Sequence, residues 1–183
     1  MKVLFVTSEA YPLMKTGGLG DVSNSLPNSL HHQHADVRLI MPAYRSVLEK
    51  LDSFEILGWL KSGMQQQEAR ILKASHPAFE MPILLVDCPS LFDRSGSPYT
   101  HPSGDDWPDN PQRFAMFSHA AALVAIDALD TGWKADIVHS NDWQTGLVSA
   151  FLSHEAHPPK RIFTIHNIAY DCQFDYGTFQ SMH

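Results

Sequence analysis

Short, continuously hydrophobic runs alternate with longer amphipathic stretches along this chain. The runs that predict β-strands are residues 2–6, 36–41, 82–87, 136–140 and 161–166. They do not alternate between polar and apolar positions, which is typical of strands in a sheet that is covered on both faces. The pattern therefore predicts a largely buried sheet.

Helical patterns occupy several of the intervals between these strands. They cover residues 20–30, 110–130 and 144–155, and the second of them begins near Pro111. Residues 52–73 favour a β-hairpin. Because strands that alternate with helices form βαβ units, we expect an α/β fold with a Rossmann-like parallel sheet flanked by helices.

The composition is that of ordinary globular material, in one domain or in a piece of a larger protein. The 183 residues are 44% hydrophobic and 18% charged, which is enough for a sizeable core. The net charge of −7 argues against binding to nucleic acid or to an anionic membrane. An anionic ligand would therefore depend on local donors rather than on the overall field.

Three further features bear on the cellular location. No segment approaches the ~20 apolar residues of a membrane span, and the N-terminus lacks the pattern of a signal peptide. Cys88 and Cys172 lie far apart and in no metal-like spacing. This usage favours a reducing cytoplasm, although it leaves a single disulfide between the two cysteines open.

Three polar segments follow predicted strands. KTGGLGD (15–21) follows the first strand, SNDW (140–143) ends the strand DIVHS, and HNIAY (166–170) ends the strand RIFTIH. In open α/β sheets, ligands bind at the carboxyl ends of the strands. We therefore expect the three segments to converge on one edge of the sheet and to form a site.

The first of these segments has the composition of an anion-binding turn. Its glycines permit close backbone approach and positive φ, so successive amides can point at one ligand. A helix that starts near Gly20 adds its positive end, and Lys15 adds a compact charge. The order of residues fits neither the dinucleotide fingerprint nor the P-loop. Taken alone, the segment also fits a tight strand-to-helix connection with an incidental lysine.

Several candidate residues have structural interpretations as well. His166 fits a buried structural histidine, and Asp142 fits the N-cap of the following helix, or both purposes at once. The histidine-rich segments 31–34 and 153–157 follow helices, and we interpret them as surface. We favour a helix entry over a divalent-metal site for the acidic segment 105–109, because it precedes a long helix and does not follow a strand.

Several ordered blocks of the sequence resemble the signatures of bacterial glycogen synthases and plant starch synthases. KTGGLGDV (15–22) resembles their K-T-G-G-L-[AG]-D-V signature, and VRLIMPAY (37–44) resembles their second strand and the turn after it. DIVHSNDWQTGL (136–147) and FTIHNIAY (163–170) resemble two further blocks, and residues 109–114 resemble the entry of a long helix. The resemblance extends along nearly the whole chain.

The resemblance implies the N-terminal half of a GT-B glycosyltransferase, in which two Rossmann-like domains face each other across a cleft. Such enzymes transfer glucose from ADP-glucose to the non-reducing end of an α-1,4-glucan with retention, and they need no metal or other cofactor. It also implies that Lys15 contacts phosphate, that Gly17 and Gly18 contact the diphosphate or glucosyl unit, and that Asp21 lies by the cleft. Amides and one lysine would then stabilise the negative charge on the departing diphosphate.

On the sugar side, the resemblance implies catalytic positions for Asp142 and His166, which correspond to residues that line the glucose and acceptor side. Gln144 and Asn167 offer amide donors and acceptors for sugar hydroxyls. Tyr99, in the long loop 93–110, matches a tyrosine that contacts the acceptor.

The chain departs from the family pattern at Asp171 and Cys172, which stand where the family has glutamine and glycine. If that glycine has a positive φ, cysteine there costs about 1 kcal/mol or more and reshapes the loop. Family members also continue into a second domain that residues 1–183 do not contain. We therefore interpret residues 1–183 as one partial N-terminal domain, and we expect this polypeptide alone to be inactive.

Two other functions remain open from the sequence. One is a non-catalytic glucan-binding or interaction module derived from such a synthase. The other is a different GT-B sugar-nucleotide transferase with the same half-fold, since the residues do not decide between ADP- and UDP-linked donors.

Overall fold

The computed structural model of the chain describes residues 1–61, 68–169, 174 and 176–180. In this part of the chain one sheet contains seven strands. They are β1 (Lys2–Val6), β2 (Asp36–Pro42), β3 (Phe54–Lys61), β4 (Glu68–Ala74), β5 (Ile83–Asp87), β6 (Ile137–Asn141) and β7 (Lys160–Thr164). The helices are α1 (Gly18–His32), α2 (Arg45–Leu48), α3 (Pro89–Phe92), α4 (Asn110–Ala125), α5 (Val148–Phe151) and α6 (Tyr176–Gln180).

The strands are arranged in the order β3-β4-β5-β2-β1-β6-β7. The five strands from β5 to β7 in this order are parallel, and β3 and β4 form an antiparallel hairpin that adds to β5. The predicted strands and the predicted hairpin are therefore confirmed. The sheet is mixed rather than wholly parallel, because the hairpin extends it at one edge.

Burial of the central strands explains their hydrophobic pattern, whereas the edge strands β3 and β7 are mostly exposed. All residues of β5 are buried, and so are all but the first residue of β1. The edge strand β7 differs, because Ile162 is 46% exposed and Phe163 is 47% exposed. Two apolar side chains of β7 are thus exposed at this end of the sheet.

Two of the predicted helices are shorter than expected. The helix predicted over 110–130 ends at Ala125, and Asp127 then adopts a positive φ of 64° in a turn. The helix predicted over 144–155 is broken into 3₁₀ turns at Trp143–Thr145 and Leu152–His154, with the short α5 between them. The hydroxyl of Thr145 donates to the carbonyls of Asn141 and Asp142, which favours a tight turn over a regular helix here. Among the helices that the structure describes, none has the length and apolar character to cross a membrane.

The direction of strand addition reverses next to β1. The chain adds β2 and β5 on one side of β1, and later adds β6 and β7 on the other side. In an open α/β sheet such a reversal leaves a crevice at the carboxyl ends of the two flanking strands. The segments that follow Val6 and Asn141 therefore meet at one edge of the sheet.

A buried arginine ties helix α4 to the long loop before it. Arg113 is 1% exposed, and its guanidinium donates to the carbonyls of Leu91 and Pro98, each at 2.8 Å. It also donates to Oδ1 of Asn110 at 2.7 Å, and Asn110 in turn donates to the carbonyl of Tyr99 at 2.9 Å. These bonds fix the loop segment that carries Tyr99.

We predict that Arg113→Lys lowers the free energy of unfolding by about 2 to 3 kcal/mol, because a lysine ammonium lacks the planar fork that reaches three acceptors. Urea denaturation measures this change. The control is Arg45→Lys, whose ion pair with Asp93 lies half exposed at 2.6 Å, and we expect a much smaller change there because exposed ion pairs contribute little to stability. Equal effects of the two substitutions would contradict the structural role of Arg113.

A second polar side chain, that of His139 on β6, contacts the strands on both sides of it. His139 packs edge-on against Phe5 with 5.0 Å between the ring centroids, and its Nε2 is hydrogen-bonded to the hydroxyl of Thr164 at 2.8 Å. Burial lowers the pKa of His139 below its usual value, and the neighbouring His166 lowers it further. The folded chain therefore favours neutral His139.

We predict that the free energy of unfolding falls as the pH is lowered through about 6.5, where His139 of the unfolded chain takes up a proton. The folded chain resists protonation at that pH, so protons favour unfolding until the pH falls below the folded-state pKa. Urea titrations across this range measure the decline. His139→Gln should flatten it, and an identical pH dependence in variant and wild type would contradict the assignment.

Candidate functional site

A cavity of about 890 Å³ opens where the segments after β1, β6 and β7 meet. It is of the size that proteins use for small-molecule ligands. Seven of the nine predicted site residues lie in its wall: Gly17, Gly18, Tyr99, Asp142, Gln144, His166 and Asn167. The expected convergence of distant polar segments on one edge is therefore observed.

Lys15 and Asp21 are the two predicted residues that are not among the lining residues of this cavity. The Nζ of Lys15 lies 2.7 Å from each carboxylate oxygen of Asp21, and 5.6 Å from the centre of the Tyr11 ring. Both side chains are about half exposed, at 43% and 57%. Exposed ion pairs of this kind contribute little to stability, so Lys15 can exchange Asp21 for another anion at small cost.

The glycine-rich turn differs in its backbone from the expectation. None of Gly17, Gly18 and Gly20 has a positive φ, because Gly17 is extended and α1 already begins at Gly18. A Cβ on Gly20 would lie 3.1 Å from the Lys15 side chain and 3.2 Å from the carbonyl of Met14, so close approach explains this glycine. A Cβ on Gly17 or Gly18 would meet nothing within 4 Å. These two positions face open space.

Asp142 is held in an unusual backbone conformation at the end of β6. Its φ of 58° and ψ of 177° are rare for a residue with a side chain, and such strain occurs preferentially at functional sites. The carboxylate Oδ1 accepts the backbone N–H of His166 at 2.6 Å and that of Asn167 at 3.4 Å. Asp142 also stands at the N-cap position of the 3₁₀ turn that follows, as the structural interpretation expects, but its side chain makes no capping hydrogen bond there.

The neighbouring Asn141 fixes the ring of His166. The Nδ2 of Asn141 donates to the carbonyls of Val6 and His139, so its Oδ1 is left to accept from Nε2 of His166 at 2.9 Å. In neutral His166 the proton then resides on Nε2, and Nδ1 is the acceptor. His166 is only partly buried, so it is not a simple core histidine.

Gln144 and Trp143 complete this wall of the cavity. Gln144 is 4% exposed, and its side-chain Oε1 has no hydrogen-bond partner within the described residues. A buried acceptor without a partner is uncommon in proteins and is available to a ligand hydroxyl. Trp143 lines the same cavity and packs edge-on against Phe114 with 5.0 Å between the ring centroids.

The acidic segment 105–109 is not arranged as a metal site. Asp109 stands at the N-cap position of α4, as expected for a helix entry, but its carboxylate pairs with both terminal nitrogens of Arg94. In the part of the chain that the structure describes, no three His, Cys, Asp or Glu side chains group as they would around a metal ion. Asp171 and Cys172 lie outside the described residues.

Two residues of this region were not predicted from the sequence, Glu9 and Asn141. Glu9 lines the cavity, and Asn141 binds the His166 ring that lines it. The available signal was their position, since each lies at or just after the carboxyl end of a strand beside the reversal point. Glu9 lies outside the blocks identified in the sequence, and SNDW (140–143), which contains Asn141, gives that residue no role of its own.

Comparison with known proteins links this geometry to one family. The profile of the family described as "Starch synthase catalytic domain" matches residues 2–183. A glycogen synthase of Hydrogenovibrio crunogenus is 48% identical over 184 residues, which cover 100% of this chain and 38% of that protein. Glycogen synthase 1 of Methylococcus capsulatus is 46% identical over 182 residues, and the match covers 36% of that protein.

A solved structure gives the same picture. The catalytic domain of Starch Synthase IV from Arabidopsis thaliana, bound to ADP and acarbose, superposes with a TM-score of 0.82 at 26% sequence identity. The match covers 99% of this chain and 37% of that chain. The chain thus spans little more than a third of the length of the proteins that it matches.

We predict that Asp142→Ala lowers the free energy of unfolding by about 2 kcal/mol, because two loop amides lose a charged acceptor and alanine tolerates a positive φ poorly. Asp142→Asn keeps an acceptor oxygen and a residue type that tolerates this backbone, so we expect a loss below about 1 kcal/mol. Urea denaturation of the two variants measures the difference. Equal losses would show that the carboxylate does not hold the loop after β7.

Proposed function

Because the chain belongs to the starch synthase catalytic-domain family, we propose that it forms one wall of the active-site cleft of a glucosyltransferase of glycogen synthesis. The proposed reaction transfers glucose from ADP-glucose to the non-reducing end of an α-1,4-glucan with retention of configuration. The relatives' names and the ADP-bound neighbour support the donor and acceptor classes.

The observation that carries this proposal is that backbone amides of a helix start and polar side chains suited to hydroxyls line one cavity. Gly18 and Leu19, the first residues of the 15-residue helix α1, line one side of it. Amides at a helix N-terminus lack intrahelical partners and favour anions. Gln144, His166 and Asn167 line the same cavity and suit sugar hydroxyls. A sugar linked to a phosphate fits both sides at once.

In the proposed mechanism, Lys15 and the start of α1 form the phosphate side of the cavity, and this side stabilises the developing negative charge. When the bond between glucose and the diphosphate breaks, negative charge grows on the departing oxygens. Gly18 and Leu19 at the start of α1 line the cavity, and Lys15 precedes Thr16, which also lines it. We propose that Lys15 leaves Asp21 for the diphosphate, and that no metal or cofactor takes part.

The sugar side orients the glucosyl unit and the acceptor. Nδ1 of His166 and Oε1 of Gln144 are acceptors for hydroxyl protons, and the Asn167 amide adds donors. Asp142 holds the backbone of His166 and Asn167, so it orients both residues toward the sugar. We propose that Tyr99, which lines the same cavity, lies on its acceptor side.

The open edge strand β7 supports a further part of the proposal, that additional polypeptide covers it in the active enzyme. Ile162 and Phe163 are each nearly half exposed, and exposed apolar strands at a sheet edge normally pack against a partner. Transition-state stabilisation in a cleft needs groups from both of its walls. We therefore expect a polypeptide of residues 1–183 alone to transfer no glucose.

The test is a chimaera in which residues 1–183 replace the matching segment of the Hydrogenovibrio crunogenus glycogen synthase. We predict that it incorporates labelled glucose from ADP-glucose into glycogen in the presence of EDTA, and that Asp142→Ala lowers kcat/KM by about 100-fold or more. The control Asp52→Ala changes an exposed aspartate outside the cavity and should have no effect.

The outcomes separate the remaining functions. A folded chimaera that uses UDP-glucose in preference would assign a different sugar-nucleotide transferase. A folded chimaera that binds glycogen without transferring glucose would assign a glucan-binding module. Either result would contradict the proposal.

A further inference from the structure

A buried carboxylate lies directly beneath the glycine-rich turn. Glu9 is 2% exposed and follows β1 by three residues. Its Oε2 accepts the backbone N–H of Thr16 at 2.5 Å and that of Gly17 at 3.3 Å. Its Oε1 accepts the hydroxyl of Thr16 at 2.6 Å and the phenol of Tyr99 at 2.6 Å. Both oxygens are therefore engaged by two donors each.

No cation compensates this charge within the described residues, since none of their lysine, arginine or histidine side chains forms an ion pair with Glu9. A buried carboxylate without a cationic partner depends on its hydrogen bonds for stabilisation. Burial raises the pKa of the Tyr99 phenol well above its usual value, so Tyr99 stays a neutral donor. The four donors thus take the place of a counter-ion.

Packing does not hold residues 16–18 of the turn in place of Glu9. Thr16, Gly17 and Gly18 are exposed, and a Cβ on either glycine would meet nothing within 4 Å. The hydrogen bonds to Glu9 are therefore the contacts that fix the backbone of Thr16 and Gly17. They also join the turn to the long loop, because Tyr99 is bonded both to Glu9 and to the hydroxyl of Ser8 at 2.8 Å.

These contacts divide the amides of the turn between two tasks. The amides of Thr16 and Gly17 are occupied by Glu9. Those of Gly18 and Leu19 belong to the first turn of α1, where no intrahelical acceptor exists. The amides that remain for an anionic ligand are thus those of the helix start rather than that of Gly17.

We infer that Glu9 is a positioning residue that clamps the glycine-rich turn, so that the start of α1 faces the cavity, and that joins the turn to Tyr99. Glu9 acts through the turn and is not proposed to contact the reacting atoms. The identity of the ligand at the turn rests on the proposed function, whereas the positioning of the turn by Glu9 does not.

The first test measures amide hydrogen exchange of Thr16 and Gly17 in the 183-residue chain. We expect Glu9→Ala to speed exchange at both amides by about tenfold or more, while amides of β1 and α4 keep their protection. Glu9→Gln should restore most of the protection, because its Oε1 can face the two amides while its Nε2 donates to the hydroxyls. Glu155→Ala, at an exposed glutamate, is the control.

The second test measures glucose transfer by the chimaera with the same variants. We expect Glu9→Ala to raise KM for ADP-glucose by about tenfold, and Glu9→Gln to bring it back to within about threefold of wild type. Unchanged exchange at Thr16 and Gly17 in Glu9→Ala, or no rescue by Glu9→Gln, would overturn the inference. If the wild-type chimaera is inactive but the amides of Thr16 and Gly17 are protected from exchange, the result would count against the proposed function and not against the positioning role of Glu9.

Discussion

Parallel pairing between β1 and β6 brings the segments after both strands to one edge of the sheet, and the cavity depends on that pairing. Because the chain adds strands on opposite sides of β1, its connections leave a crevice at the carboxyl ends of β1 and β6. Glu9 enters this space from β1, and Asn141 and Asp142 enter it from β6. Loops with little packing of their own then acquire fixed positions from these three side chains.

Two buried carboxylates organise the cavity in the same way. Glu9 accepts the consecutive amides of the turn before α1, and Asp142 accepts the consecutive amides of the loop after β7. Charge-assisted hydrogen bonds to backbone amides are strong and directional, so each carboxylate sets the course of one loop. The two loops form facing parts of the wall without contributing much to the hydrophobic core. In this arrangement the groups proposed to bind the ligand lie on exposed loops, and the two carboxylates that hold those loops are buried.

Much of the fold follows from the sequence, because fully buried parallel strands require continuous hydrophobic runs such as ILLVD at Ile83–Asp87. The break in the helix predicted over 144–155 does not follow from the sequence pattern, because the break depends on the hydrogen bonds of the Thr145 hydroxyl. The family signatures locate the three polar segments of the site. They do not reveal that Lys15 pairs with Asp21, or that Glu9 and Tyr99 meet across 90 residues of chain. Such contacts depend on the tertiary arrangement alone.

We propose that an anionic nucleotide binds at the start of α1 in this cavity. Amide chemical shifts of the isotopically labelled chain, followed as ADP is added, test this binding. We expect the largest changes at Gly18 and Leu19, with further changes at Lys15 and Asn167, while the β3–β4 hairpin is unaffected. Changes confined to residues outside the cavity, with Gly18 and Leu19 unmoved at saturation, would contradict it.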